Sequence, residues 1–165
     1  MSEKMKVVKN ALELIGNTPL LKLERVTKGL DVNVYVKCEY LNPSGSIKDK
    51  MALRMVEEAE KEGKLKPGGT IVESTGGNTG PALAFVGAVK GYKVRLYIPA
   101  EWTGTYTPTD RVNIMKFFGA EVETFDPNEY KDILNKIDEE YRTLASVCTG
   151  FKKCYDLDKG DPDIF

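Results

Sequence analysis

Nine consecutive residues, Pro81 to Val89, contain no charged side chain. A helix that is apolar on every side cannot lie on a surface and has to be covered all round. The flanking sequence says by what. Thr70-Ile71-Val72 before it and Lys93 to Ile98 after it read as strands, and the polar loop STGGNTG, Ser74 to Gly80, leads into it with Pro81 in the first helical turn. A strand, a glycine-rich loop, a buried helix and a second strand form a crossover unit, which demands a parallel sheet.

The rest of the chain extends this pattern. Val32, Val34 and Val36 alternate with Asn33, Tyr35 and Lys37, as in a strand. Asn42 to Gly45 is turn chemistry. Ile47, Met51, Ala52, Met55, Val56 and Ala59 then recur at helical spacing until Gly63. Asp110 to Phe118 reads as a helix, Glu121 to Phe125 as a strand, and Pro127 to about Ala145 as one amphipathic helix. The expected fold class is α/β, a parallel sheet in a three-layer αβα arrangement. Ser146 to Phe165 has weak periodicity and stays unassigned. Its Asp-rich end lacks the register of a calcium loop and reads as a solvated tail.

Composition excludes several functions. With a net charge of −1 in 165 residues, nothing favours nucleic acid or an anionic membrane as a partner. No apolar run approaches the ~20 residues that span a bilayer. The charged start MSEKMKVVKN lacks a secretory apolar stretch, and three scattered cysteines make no disulfide scaffold, so the expected location is cytoplasmic. Cys38 reads as a small core residue. The chain has no histidine, which removes His-based triads and most zinc sites. Acid–base work falls to Lys, Asp, Glu, Tyr or Cys.

Two loops then stand out, both at carboxyl ends of strands, where open parallel sheets bind ligands. In NPSGSIKDK, Asn42 to Lys50, Lys48 sits at the start of a helix whose backbone already carries positive partial charge there. That charge disfavours an ammonium by only ~0.3–1 kcal/mol. Deprotonating an ordinary lysine at neutral pH takes about 4–5 kcal/mol. The dipole cannot supply this, whereas a covalent bond to an aldehyde cofactor changes the nitrogen itself. In STGGNTG, glycines admit close backbone approach and the helix start offers free N–H groups to an anion, with Thr75, Asn78 and Thr79 adding side-chain donors. The same residues also serve as an ordinary helix cap. Their spacing matches neither nucleotide-binding glycine motif.

GNTPLLKL (Gly16 to Leu23), NPSGSIKDKMA (Asn42 to Ala52), EEAEKEGKLKPGGTIVESTGGNTGPALA (Glu57 to Ala84) and GAEV (Gly119 to Val122), in this order, resemble the cysteine synthase (O-acetylserine sulfhydrylase) and cystathionine β-synthase family. These are pyridoxal-phosphate-dependent enzymes with the tryptophan synthase β-like fold. The resemblance implies pyridoxal 5'-phosphate as cofactor, held covalently by Lys48 and hydrogen-bonded at its ring hydroxyl by Asn78. It implies Thr75, Gly76, Asn78 and Thr79 as binders of the substrate carboxylate, and Lys48 as the base that takes the α-proton. The implied reaction is β-replacement on O-acetylserine by sulfide, giving cysteine and acetate. A small amino-acid substrate, a homodimer and the C-terminal tail of serine acetyltransferase are the partners it brings.

The sequence also departs from the family pattern. Gly76 stands where the family has serine, and Lys50 where it usually has arginine. EWTGTYTPT, Glu101 to Thr109, is longer and more aromatic than the usual loop. Family enzymes are about twice as long, and this stretch corresponds to their N-terminal half. The half that carries the phosphate-binding loop is missing from the resemblance, and Thr149-Gly150 is a weak substitute. On this reading 1–45 belongs to the large cofactor domain, 46–145 is the small α/β domain, and 146–165 is unassigned. The alternatives are a cystathionine β-synthase-like enzyme and a truncated non-catalytic relative acting as a binding module.

Overall fold

In the computed structural model, the residues described are 7–100, 109–135, 142–159 and 161–165. The elements are strand β1 (Leu20–Leu23), β2 (Val34–Lys37), helix α1 (Lys48–Lys61), β3 (Thr70–Ser74), α2 (Thr79–Lys90), β4 (Lys93–Pro99), α3 (Thr109–Phe117), β5 (Glu121–Phe125), α4 (Lys131–Leu134) and α5 (Arg142–Asp158). The loop from Glu101 to Pro108 lies outside the described residues, as does the charged start through Lys6.

β3, β4 and β5 form a parallel sheet in that order, with Ile71 beside Val94 and Leu96 beside Val122. Side chains alternate between its faces. Ile71, Val94, Leu96 and Ile98 meet Ala52, Val56, Ala82, Val86 and Met115 from α1, α2 and α3, which makes the main core. Val72, Ser74, Tyr97 and Phe125 point the other way, where α5 packs on β3 and β4. The result is the three-layer αβα arrangement expected.

Pro81 to Gly87 is buried throughout, as an all-apolar helix requires. Gly91 ends α2 in a left-handed conformation, φ +81°, where a Cβ would be strained. α1 is different: Ala52, Val56 and Ala59 recur on one buried face and charged residues fill the other. The carboxyl ends of α1 and α2 are fastened together. Glu60, near the end of α1, accepts hydrogen bonds from Lys90 Nζ (2.8 Å) at the end of α2 and from Tyr92 Oη (2.7 Å). Burial works against the Glu60 charge, yet these two donors hold its carboxyl below the usual range. Burial and then Glu60 push the Tyr92 phenol up to about 12.

The C-terminal stretch corrects two expectations. The amphipathic pattern from Pro127 is not one helix: a 3-10 turn (Pro127–Tyr130) leads into the single turn of α4, and residues 136–141 lie outside the described part. Nor is the end of the chain a solvated tail. α5 carries Thr149, fully buried, and Gly150, whose absent Cβ would lie 2.0 Å from Ser74 Oγ. Beyond it, Thr70 N–H donates to Asp163 O, Phe165 N–H to Thr70 O and Val72 N–H to Phe165 O, all at 2.7–2.8 Å. Ile164 thus lies parallel to β3 as a short edge. A cavity of about 130 Å³ between this edge and α5 is lined by Val72, Cys154, Tyr155, Ile164 and Phe165. Burial and then the nearby Glu73 carboxylate push the Cys154 thiol up to about 12.

β1 and β2 form a separate antiparallel ribbon, Leu21 opposite Val36 and Leu23 opposite Val34. Leu21 is 53% and Val36 40% exposed, so an apolar face of the ribbon is open. No helix among the described residues is long and apolar enough to cross a membrane.

Glu73, at the end of β3, provides a pH test. Burial raises its carboxyl above the usual value, partly offset by the Ser74 N–H that donates to Oε1 at 2.8 Å. The folded state therefore binds this proton more tightly than the unfolded chain, and stability falls as pH rises through the raised value. Glu73→Gln is expected to match the wild type at pH 3–4 and exceed its stability progressively toward pH 7. Urea titrations across that range check this; a variant less stable at neutral pH would contradict it.

Candidate functional site

Fastening the carboxyl ends of α1 and α2 fixes where their amino ends lie. Both helices run antiparallel to β3, which α1 precedes and α2 follows, and they pack on each other. Lys48 is twelve residues before Glu60, and Thr79 eleven before Lys90. At 1.5 Å per residue the two helix starts reach nearly the same height. They flank the carboxyl end of the sheet. Lys48 and the STGGNTG loop, distant in sequence, therefore lie at the same end of the α1–α2 pair.

The lysine loop is heavily pinned. Asn42 is buried; its Oδ1 accepts from Gly16 N–H (2.9 Å), and its Nδ2 donates to Glu39 O (2.7 Å) and Glu39 Oε2 (2.8 Å). Gly45 N–H donates to Asn42 O at 2.8 Å. Asp49 is fully buried: Oδ2 accepts from Ser44 N–H at 2.7 Å and Oδ1 from the Ser44 hydroxyl. Lys48 N–H donates to Ser46 Oγ at 3.2 Å. These bonds fix the backbone on both sides of Lys48, whose side chain is half-buried. Lys50 Nζ is bound to Glu39 Oε1 at 2.7 Å, which with Asn42 holds the Glu39 carboxyl below the usual range. No ion pair to Lys48 occurs among the described residues.

The second loop is differently arranged. Thr75 and Gly76 are buried, and Thr75 N–H donates to Tyr97 O at 2.9 Å. Thr75 Oγ1 accepts from Gly77 N–H at 3.2 Å, which leaves the hydroxyl proton to donate. A Cβ built on Gly77 meets nothing within 4 Å, so this stretch of backbone faces open space. Asn78 takes the N-cap position of α2 with helical φ and ψ, but its side chain makes no capping hydrogen bond. The exposed amide is thus not spent on the helix-cap role that its position suggests. Thr79, half-buried, opens the helix.

Do these residues fit an aldehyde cofactor and an amino-acid carboxylate? An amine unpaired among the described residues, an uncommitted amide and a helix start with open backbone suit that donor set. For the phosphate, Thr149-Gly150 does not serve: both are committed to the packing of α5 on β3. Sequence reasoning missed Glu39, Asn42 and Asp49 as the residues that pin the lysine loop. Asp49 in the first turn of a helix was the only local signal.

The family model described as pyridoxal-phosphate dependent enzyme matches residues 11–164. Cysteine synthase of Staphylococcus aureus is 50% identical over 117 residues, 71% of this chain and 36% of its own. Rat cystathionine beta-synthase is 42% identical over 119 residues, 71% of this chain and 20% of its own. The crystal structure of cysteine synthase from Entamoeba histolytica superposes with a TM-score of 0.77 at 34% identity, covering 100% of this chain and 44% of its own. The chain thus spans less than half the length of each of these relatives.

Proposed function

This chain belongs to the pyridoxal-phosphate dependent enzyme family, and from that premise we propose that it carries the lysine and the carboxylate-binding loop of a β-replacement on an activated serine. The substrate we assign is O-acetylserine, with sulfide as the incoming nucleophile and cysteine and acetate as products. The observation that supports this reading is the fastening of α1 to α2 at Glu60 and Lys90, which leaves the starts of both helices, with Lys48 and STGGNTG, at the same end of the helix pair.

When bound, the cofactor supplies a sink for the electron pair left at the α-carbon. Lys48 Nζ would hold the cofactor's aldehyde carbon and, once freed, would take the substrate's α-proton and return it to the α-carbon after the nucleophile has added. The C–O bond to acetate breaks at the β-carbon and a C–S bond forms there. Backbone N–H groups at the start of α2, with Thr75 and Thr79, hold the substrate carboxylate. Asn78 would donate its amide to the cofactor ring hydroxyl. Glycine at position 76 contributes no hydroxyl, which a serine would. One hydrogen bond to a charged group is worth about 1.5–3 kcal/mol, so carboxylate affinity is about tenfold or more below that of a serine-bearing loop. The same loop is where a peptide carboxylate, such as an acetyltransferase tail, would compete.

The test is chemical trapping. Incubation with pyridoxal phosphate, reduction with borohydride and peptide mapping are expected to place the cofactor on Lys48 well above every other lysine. Labelling spread evenly over surface lysines would overturn the assignment.

A further inference from the structure

Two lysines flank Asp49, and this chain has to keep them chemically distinct. An arginine at position 50, the usual family residue, forms no stable bond with an aldehyde; Lys50 has a primary amine that does. The structure disposes of it. Lys50 follows Lys48 by two residues, so the side chains leave opposite sides of α1. Lys50 reaches back to the N-terminal segment, where its Nζ is bound to Glu39 Oε1 at 2.7 Å and its Cε lies 3.9 Å from where a Gly16 Cβ would be. Glu39 is itself held: its other oxygen accepts from Asn42 Nδ2 at 2.8 Å, and its side chain is only 18% exposed. Lys48 has no such carboxylate among the described residues.

We infer that Glu39 is a specificity-determining residue, which sequesters the Lys50 amine so that an aldehyde cofactor bonds to Lys48 alone. The inference rests on the function proposed above. An amine attacks a carbonyl through its lone pair, so Lys50 must both leave Glu39 and lose a proton before it can compete. Lys48 must lose a proton too, but it has no carboxylate to leave among the described residues. Glu39→Gln keeps an acceptor for Asn42 and removes the charge that binds Lys50.

The same trapping and mapping separates the two ideas. In the wild type, Lys50 is expected to label less than exposed reference lysines such as Lys61 and Lys93, while Lys48 labels most. In Glu39→Gln, Lys50 labelling is expected to rise about threefold or more, the range a partly exposed ion pair controls, with the reference lysines unchanged. Glu39→Gln/Lys50→Arg should restore the wild-type pattern, with Lys48 labelled most and no label at position 50. Thermal melts of each variant establish that the fold is retained; should Glu39→Gln not fold, Glu39→Asp, which shortens the carboxylate's reach, replaces it with the same expected rise. Strong Lys48 labelling with Lys50 unchanged in either variant overturns the role of Glu39 and leaves the proposed function standing. Absence of Lys48 preference in the wild type overturns the proposed function itself.

Discussion

Lys48→Ala is expected to abolish the visible absorbance band that pyridoxal phosphate acquires on bonding to the protein, while leaving the fold unharmed. The two halves of that result have separate physical grounds. Lys48 is half-buried at the first position of α1 and unpaired among the described residues, so its removal breaks no contact of the core. Alanine is the better helix former, and removing a positive charge from a helix start is favourable by ~0.3–1 kcal/mol. The melting temperature should therefore stay level or rise slightly. Function has no such latitude. No other amine in this loop replaces Lys48, because Lys50 is bound to Glu39. Any β-replacement measured with the protein should fall by a factor of about 10² to 10⁴, the usual contribution of a positioned proton-transfer group, with covalent anchoring lost besides. Absorbance titration and calorimetry check both halves. A variant that retains the band would show that another lysine carries the cofactor.

Gly150→Ala is expected to destabilise the protein by about 1–3 kcal/mol, the range for overpacking a close-packed contact. Here α5 lies so near β3 that a Cβ would come 2.0 Å from Ser74 Oγ and 2.6 Å from Ser74 Cβ. Rotating the serine hydroxyl relieves the first clash but not the second, so the helix has to move away from the sheet. Alanine's helix propensity returns only up to about 1 kcal/mol. In a domain of this size, each kcal/mol lowers the melting point by about 2–4 °C. Ser74→Gly in the same chain should recover much of the loss, and urea titrations of the single and double variants measure it. A Gly150→Ala protein as stable as the wild type would mean that α5 does not sit on β3 as described.

These two variants mark the limits of what the sequence shows. Lys48 was legible because a basic residue opens a clean helical period behind a Pro-Ser-Gly-Ser turn. The buried helix was legible because nothing charged interrupts Pro81 to Val89. α5 was not legible. Its middle, Ser146 to Gly150, is made of poor helix formers, of which Thr149 is fully buried and Gly150 lies against Ser74. The edge at Asp163 to Phe165 is too short to show any alternation, and its hydrogen bonds to Thr70 and Val72 join positions nearly a hundred residues apart. The lysine loop divides along the same line. Its turn could be read, but the clamp on it could not, since Gly16, Glu39 and Asn42 reach it through contacts that no local pattern records. The glycine loop could be read as a helix cap or an anion site, and only the Asn78 side chain, which makes no capping hydrogen bond, speaks against the first.

The β1–β2 ribbon has a consequence for the loop that hangs from it. Segments with few buried apolar contacts open at low free energy, well below the cost of unfolding the whole domain. The ribbon is such a segment, whereas α1 and α2 can be released only with the core. Lys48 stands at the seam between them, and its clamp reaches into the yielding side through Gly16 and Glu39. Opening of the ribbon is therefore expected to loosen the lysine loop while the glycine loop stays in place.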